Sequence, residues 1–402
     1  MHIDIRPIET AEIKDWISVT HSAFGDEVTE EDLPRHKRLL ALDRTVCALE
    51  GEAMVGTAGA FPFSLTVPGG SAPAAGVTAV GVLPTHRRRG VLTHMMRYQL
   101  GEIHDRGEPL AVLFASESSI YGRFGYGLAT LQGDIDIERD RTAFHARFEP
   151  VGSTRLVDIE EAVECFPDVY DRIRVETPGM FARSPEWWRH HVLSDPPHNR
   201  RGRSPMARVV LEVGGRPEAY ATYRVNGSWE QGVPTGSLEV EEALATSTEA
   251  TAALWRFLFG VDLVRRVKAD LLPMDHPLIL MLVEPRRLRF ALYDGLWLRI
   301  VEVSGALAAR SYAGEGSVVF ELTDSTCPWN GGRWRLDAGP EGATATKTSE
   351  EPDLALDVAD LGAVYLGGFG FRDLHRAGRI AERSEGAIRR ADALFATDRA
   401  PY

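Results

Sequence analysis

Apolar and polar positions in the first 150 residues follow two different periods. The stretch "VCALEGEAMVGTAGAFPFSLTVPGG" alternates apolar runs with turn residues, which predicts strands joined by hairpins. A further strand is expected at about Val77 to Val82. After three arginines, apolar positions from Leu92 to Ile103 recur at helical spacing until Gly107 and Pro109 end the helix. "LAVLFAS" is then a continuous apolar run, typical of a strand buried on both faces. This order predicts one βαβ unit.

Two further regions follow the first. "ARVVLEVGGRPEAYATYRVNG" predicts a β-hairpin, and a helix near Thr248 to Phe259 precedes another strand, so the second region is either a degenerate copy of the first or an unrelated α/β domain. From about residue 296, "WLRIVEVSGALAAR", "SVVFELTD" and "GGRWRLDAG" predict strands, and "LGAVYLGG", "FRDLHRAGRI" and "SEGAIRRADALFATD" predict helices. We therefore expect a mixed α/β and α+β chain with domains at 1–150, 151–293 and 294–402.

Composition narrows the classes of function. A formal net charge of −13 over 402 residues disfavours nucleic acid as a partner and favours a cationic substrate. No apolar run approaches the ~20 residues that span a bilayer, and "MHIDIRPIET" does not read as a secretory signal. The three cysteines Cys47, Cys165 and Cys327 are far apart, which indicates a reducing cytoplasm and no metal site.

The segment "GVLPTHRRRGVLTHMM" places Arg87, Arg88 and Arg89 between a predicted strand and the first turn of a helix. A helix N-terminus exposes unpaired N–H groups that bind phosphate, and Gly90 lets the backbone approach a ligand closely. Arginines add charge-assisted hydrogen bonds to phosphate oxygens. A pyrophosphate site is the favoured interpretation, and a solvated loop is the alternative.

The spacing Arg87-x-x-Gly90 resembles the coenzyme A signature of the GCN5-related N-acetyltransferases (GNATs), with Leu92 standing where that signature has Gly or Ala. The resemblance implies that acetyl-CoA is the acetyl donor. It also implies that Val80, Gly81 and Val82 pair with the pantetheine arm where the strand splays from its neighbour. Gly81 would ease a bulge there; an ordinary buried strand is the alternative.

"SESSIYGRFGYG" follows the next strand and resembles the GNAT ending Tyr-x-x-x-Gly-Phe/Tyr, which makes Tyr121 the general acid. A phenol with a pKa near ~10 can protonate a departing thiolate whose thiol has a pKa near ~8.5. Aromatic packing alone is the other interpretation of Tyr121.

"AVGVLPTHRRRGVLTHMM", "ASESSIYGRFGYGLAT", "HSAFGDE", "FPFSLTVPGG" and "SPEWWRHHVLSDP" together resemble the enhanced intracellular survival (Eis) acetyltransferases over the whole chain. That resemblance implies a GNAT domain, a degenerate GNAT-like domain and a C-terminal domain similar to sterol carrier proteins. It also implies a homo-hexamer that acetylates several amines of aminoglycosides or similar polyamines. The implied acetyl-CoA contacts are Val80, Gly81, Val82, Arg87, Arg88, Arg89, Gly90, Val91, Leu92, Thr93, Ser116 and Glu117.

Three more residues gain a role only from this resemblance. The carboxylate of the aromatic Tyr402 becomes the candidate base, with a frayed chain end as the alternative. Phe24 and Asp26 become candidate amine contacts, and a capping or turn role is the alternative for Asp26.

Two other functions remain open from the sequence. One is an aminoacyl or longer-chain acyl transferase of related double-GNAT build. The other is a non-catalytic lipid-binding or regulatory protein that uses the C-terminal region, where "GAVYLGGFGF" is apolar enough to line a cavity, although such a run is more often core.

Overall fold

A computed structural model describes residues 3–25, 37–339 and 341–402. The chain divides into two compact units, one containing Met1–Thr130 with Leu296–Asp398 and the other Leu131–Gly295 with Arg399–Tyr402. Among the described residues, no helix combines the length and the apolar character needed to cross a membrane.

The described chain contains the following strands and helices. The strands are β1 (Asp4–Pro7), β2 (Thr45–Glu50), β3 (Ala53–Val67), β4 (Gly70–Val82), β5 (Leu110–Phe114), β6 (Tyr126–Leu128), β7 (Leu131–Glu138), β8 (Ser153–Leu156), β9 (Ala207–Val213), β10 (Arg216–Asn226), β11 (Trp229–Glu230), β12 (Val233–Pro234), β13 (Ser237–Ala245), β14 (Arg266–Pro273), β15 (Ala291–Asp294), β16 (Leu296–Ile300), β17 (Gly316–Thr323), β18 (Gly332–Gly339), β19 (Gly342–Lys347), β20 (Leu354–Asp357) and β21 (Ala381–Glu382). The helices are α1 (Ile13–Phe24), α2 (Val91–Asp105), α3 (Ser118–Tyr121), α4 (Ile159–Arg174), α5 (Pro185–Trp187), α6 (Thr248–Gly260), α7 (Leu278–Met281), α8 (Val303–Ala308), α9 (Val358–Val364), α10 (Phe371–Arg376) and α11 (Ala387–Phe395).

The first sheet has the order β1-β2-β3-β4-β5-β16-β6, and β4 and β5 run parallel on either side of α2 in the chain. The predicted βαβ unit is therefore present. Successive side chains of a strand point to opposite faces. Cys47 on β2 packs with Trp16 of α1, whereas its neighbour Ala48 packs with Met95 of α2. The two helices thus cover opposite faces of the sheet.

The segment "WLRIVEVSGALAAR" is only half strand. β16 lies between β5 and β6, with Leu298 opposite Val112 on one side and Gly127 on the other. The following residues form α8, because the Glu302 side chain accepts hydrogen bonds from the N–H groups of Ser304 and Gly305. A side-chain cap of this kind satisfies free N–H groups and starts a helix where the apolar pattern predicts a strand.

The second unit repeats the pattern of the first. Its sheet has the order β15-β7-β14-β13-β10-β9-β8, with β13 and β14 parallel and connected through α6. The predicted hairpin joins β9 to β10 through Gly214 and Gly215, whose φ values of 61° and 79° lie in the left-handed region that two-residue hairpin turns require. The helix expected near Thr248 is α6.

The C-terminal part of the first unit is a five-stranded sheet of order β19-β18-β17-β20-β21 with α9, α10 and α11. All seven residues of α9 are buried, because the helix packs directly on β6 and β16. A Cβ at Gly127 would overlap the Ala359 carbonyl oxygen, and one at Gly362 would lie 2.5 Å from the Leu298 carbonyl oxygen. The start of the apolar run "GAVYLGGFGF" is therefore packed core.

Candidate active site

β4 and β5 separate at their C-terminal ends. Their pairing ends at Gly76 and Val112, although β4 continues to Val82, so among the described strands that last part of β4 has a neighbour only on the β3 side. A bulge interrupts the β3 pairing there, with Ala79 at a φ of 52°, and the Thr57 hydroxyl donates to the Ala79 carbonyl at 3.0 Å. The divergence leaves an open strand edge along one wall of a cleft.

The cleft holds a cavity of about 670 Å³, and all the residues that line it belong to the first unit. The cavity lining includes Phe24 and Tyr121. It also includes every residue proposed from the sequence to contact acetyl-CoA except Arg89. The fold thus brings the arginine turn, the edge of β4 and the tyrosine together although they are far apart in the sequence.

The arginine turn leaves the start of α2 open. Arg88 and Gly90 have φ values of 61° and 85°, and the first helical hydrogen bond runs from the His94 N–H to the Gly90 carbonyl. The N–H groups of the first helical turn, Val91 to Thr93, therefore lack helical acceptors, and no side chain caps α2 within the described residues. A Cβ at Gly90 would meet only the His94 ring, at 3.7 Å. Free N–H groups beside open space fit a phosphate group.

Arg87 lines the cavity, and its guanidinium also makes two hydrogen bonds to backbone carbonyls. Its Nη2 donates to the Ala23 carbonyl at 2.8 Å, and its Nε donates to the Val82 carbonyl at 3.3 Å. These bonds tie the C-terminal end of α1 to the end of β4. Arg87 therefore shapes the turn in addition to contributing its charge.

We expected Gly81 to ease a bulge in β4. The bulge instead lies just before Gly81, which pairs with Thr57. Its role is close approach: a Cβ at this position would lie 2.8 Å from the Ala23 Cβ and 3.9 Å from the Phe24 ring. Only glycine lets the end of α1 come this near to β4. Phe24, with 49% of its surface exposed, is thereby held at the cavity wall.

Tyr121 ends α3 and is followed by a single 3₁₀ turn that closes at Gly125, whose φ is 83°. The side chain is 6% exposed, and its ring packs edge-on against Tyr126 with centroids 5.9 Å apart. No hydrogen bond to its hydroxyl occurs within the described residues. Burial, and next the charge of Glu117, raises the pKa of Tyr121, so the phenol keeps its proton at neutral pH.

His86 also lines the cavity, and the sequence did not single it out. Its Nδ1 lies 2.8 Å from the Thr85 hydroxyl oxygen, and its Nε2 lies 2.9 Å from a Glu50 carboxylate oxygen. The Glu50 contact joins residues 36 positions apart, and no local motif indicates it.

Tyr402 belongs to the second unit, and its N–H donates to the Pro178 carbonyl at 2.8 Å. Its ring packs against a cluster that includes Tyr170 and Met180, and burial raises the pKa of its phenol. Tyr402 is therefore anchored and is not a frayed end. Asp26 lies outside the described residues.

The second unit has its own cleft of about 540 Å³, where β13 and β14 stop pairing after Val240 and Ala269. The turn into α6 differs chemically from the arginine turn. Ser247 caps the helix by accepting from the Ala250 N–H, and Glu249 occupies the first helical turn. A capped helix start with a carboxylate disfavours phosphate, so the second cleft lacks the anion-binding chemistry of the first. Within the described part of the chain, no group of three or more His, Cys, Asp or Glu side chains is arranged to hold a metal ion.

Comparison with known proteins agrees with this architecture. Residues 4–129 and 179–300 each match an acetyltransferase (GNAT) domain family, and residues 303–402 match a sterol carrier protein domain family. The fold and the matched domains define the chain as an acetyltransferase of the GNAT class, which uses acetyl-CoA as the acetyl donor. The expected fold class is confirmed, and the chain is an enzyme.

Relatives along the whole chain define the family more closely. An uncharacterized N-acetyltransferase of Streptomyces avermitilis is 43% identical, with 100% of this chain and 99% of the relative covered. N-acetyltransferase Eis of Mycobacterium tuberculosis is 35% identical, with 94% and 92% covered. The crystal structure of Eis1 from Mycobacterium abscessus matches with a TM-score of 0.84 at 36% identity, with 99% and 98% covered. The chain belongs to the Eis family of N-acetyltransferases.

Proposed function

We propose that the protein transfers acetyl groups from acetyl-CoA to the amines of a polycationic substrate by direct attack on the thioester, with Tyr121 as general acid. One observation carries the proposal: an open helix start, an unpaired strand edge and a buried protonated phenol line the same cavity. Acetyl-CoA supplies an acetyl group on a sulfur that leaves as a thiolate.

The residues present fit this donor. The N–H groups at the start of α2, together with Arg87 and Arg88, would hold the pyrophosphate, and Arg89 of the same turn would add its charge from outside the cavity lining. The free edge of β4 at Val80, Gly81 and Val82 would pair with the amides of the pantetheine arm. Ser116 and Glu117 would contact the same molecule beside α3, and Leu92 is half-buried against the core, where it lines the cavity without closing it.

Tyr121 would act on the leaving group. As the C–N bond forms and the C–S bond breaks, the phenol O–H would give its proton to the sulfur. The nitrogen of the new C–N bond would then lose a proton, which would restore the phenol through solvent. Burial favours this role because the raised pKa of Tyr121 keeps the acid protonated.

The amine must first lose a proton. A primary amine with a pKa near ~10.4 is protonated at pH 7, and its deprotonation costs about 4–5 kcal/mol. The Eis resemblance implies the Tyr402 carboxylate as the base and Phe24 and Asp26 as amine contacts. The exposure of Phe24 at the cavity wall supports the contact at Phe24. The net charge of −13 supports a substrate such as an aminoglycoside or polyamine. We also propose that the protein is cytoplasmic and that it assembles as the homo-hexamer that the Eis resemblance implies.

Replacement of Tyr121 by phenylalanine tests the assignment. We expect kcat to fall by ~10²–10⁴ because a general acid is lost, with the Kd for acetyl-CoA unchanged. Thiol release measured across polyamines, aminoglycosides and lysine peptides, with mass spectrometry to count added acetyls, gives both the rate and the substrate class. Tyr98→Phe, on α2 and outside this cavity, is the matched control. An unchanged kcat in Tyr121→Phe would remove the general acid role.

A further inference from the structure

A buried ion pair lies behind the turn that carries Tyr121. Arg299 on β16 and Asp324, which follows β17, have side chains 0% and 1% exposed. Arg299 Nη2 donates to both carboxylate oxygens at 2.8 and 2.7 Å, and its Nη1 donates to the Ile300 carbonyl at 2.8 Å. A cation so completely removed from water is tolerated only when it is paired this closely.

The Arg299 guanidinium contacts the turn between Tyr121 and Tyr126 directly. Arg299 is opposite Tyr126 in the pairing of β16 with β6, and a Cβ at Gly125 would lie 2.7 Å from the Arg299 Cζ. Gly125 is thus required both by its left-handed φ and by the guanidinium beside it. The guanidinium therefore lies directly against the backbone of this turn.

The Tyr126 ring links this contact to Tyr121. The two rings meet edge to face in one buried cluster. The Tyr126 hydroxyl is buried and has no hydrogen-bond partner among the described residues, so ring contact sets the orientation.

Asp324 also connects to the cluster of Tyr121 and Tyr126 through the loop that follows it. Its Oδ1 accepts from the N–H groups of Thr326 and Cys327 at 3.1 and 2.9 Å, and its Oδ2 accepts from Asn330 Nδ2 at 3.0 Å. Cys327 is itself buried in the cluster with Tyr121 and Tyr126. The segment Asp324–Asn330, which we call the support loop, therefore contacts the Tyr121 turn through Arg299 and through Cys327.

We propose that Arg299 and Asp324 are positioning residues for Tyr121, and that the support loop of the sterol carrier-like region holds the proton donor in its catalytic orientation. This inference rests on the proposed role of Tyr121. A displacement of about 1 Å in a catalytic group can cost ~10²-fold in rate, so a loss of the pair should reduce kcat without changing the acetyl-CoA site.

A double-mutant cycle tests the link. Asp324→Asn should lower kcat by about 10- to 100-fold, with the Kd for acetyl-CoA within about 3-fold of wild type. In a Tyr121→Phe background, the same change should lower kcat by less than about 3-fold, because the group it positions is gone. Equal losses in both backgrounds, or a folded Asp324→Asn with wild-type kcat, would overturn the inference.

Two further variants separate positioning from folding. Arg299→Lys keeps the charge but cannot bind both oxygens and the Ile300 carbonyl at once, and it replaces Asp324→Asn in the cycle if that variant does not fold. Asp195→Asn breaks a pair of the second unit with Arg224, whose side chains are 11% and 5% exposed, and should retain kcat. A loss of kcat in Asp195→Asn equal to that in Asp324→Asn would show a general stability effect and overturn the inference.

The two proposals fail differently. If Tyr121→Phe alone leaves kcat unchanged, the general acid assignment fails, and this inference fails with it. If Tyr121→Phe lowers kcat but the cycle is additive, only the positioning role is lost.

Discussion

Gly90→Ala separates the two roles of the glycine that precedes α2. The residue adopts a left-handed backbone with a φ of 85°, and its missing Cβ leaves the open space beside the free N–H groups of the helix start. Gly107, at the other end of the same helix, has a similar φ of 73°, and a Cβ there would meet nothing within 4 Å. Gly107→Ala is therefore a control with the same backbone cost and no relation to the cavity.

The expected magnitudes follow from the geometry. An alanine forced into the left-handed region costs about 1–2 kcal/mol, so both variants should lose similar amounts of unfolding free energy. The new methyl group at Gly90 projects into the proposed phosphate site and should remove one charge-assisted hydrogen bond, worth about 1.5–3 kcal/mol. The Kd for acetyl-CoA should then rise about 10- to 150-fold in Gly90→Ala alone.

Calorimetric titration with acetyl-CoA and urea unfolding measure the two effects independently. Saturating acetyl-CoA should restore kcat in Gly90→Ala, because the group that protonates the sulfur is untouched. Equal Kd values for Gly90→Ala and Gly107→Ala would refute a phosphate site at the start of α2.

Three further outcomes follow. Gly81→Ala should raise the KM of the amine more than that of acetyl-CoA, because its Cβ must displace Ala23 and the adjoining Phe24; equal effects in steady-state kinetics would contradict this. Gly127→Ala should prevent accumulation of folded protein, because its Cβ overlaps the Ala359 carbonyl, and a wild-type melting temperature would argue against that packing. Burial lowers the pKa of His276 to about 4. Between pH ~6.5 and pH ~4 only the unfolded state takes up this proton, so the free energy of unfolding should fall by up to about 3 kcal/mol as the pH drops through that range. Urea unfolding of wild type and His276→Gln across this range checks whether the pH dependence disappears in the variant.

Local sequence determined the parts of the molecule whose interactions span a few residues. The arginines, Gly90 and the apolar face of α2 indicated an open helix start after a strand, and the structure contains that helix from Val91 to Asp105. The second and third regions were also visible, because strands and helices have periods of their own wherever they lie in a chain. The identity of the chemistry came from a motif resemblance, since phosphate binding and proton donation need specific residue types at short spacing.

Tertiary structure alone decided the contacts between distant segments. β16 enters the first sheet more than 180 residues after β5, and its pattern of apolar residues suits a strand in any sheet. Three contacts show this: Arg87 binds the end of α1, Gly81 leaves room for Ala23, and Arg299 packs against Gly125. Each contact depends on which surfaces are buried against each other in the folded chain. Burial over the whole chain selects such pairings, and the local pattern of apolar residues does not show which distant segment a residue will contact.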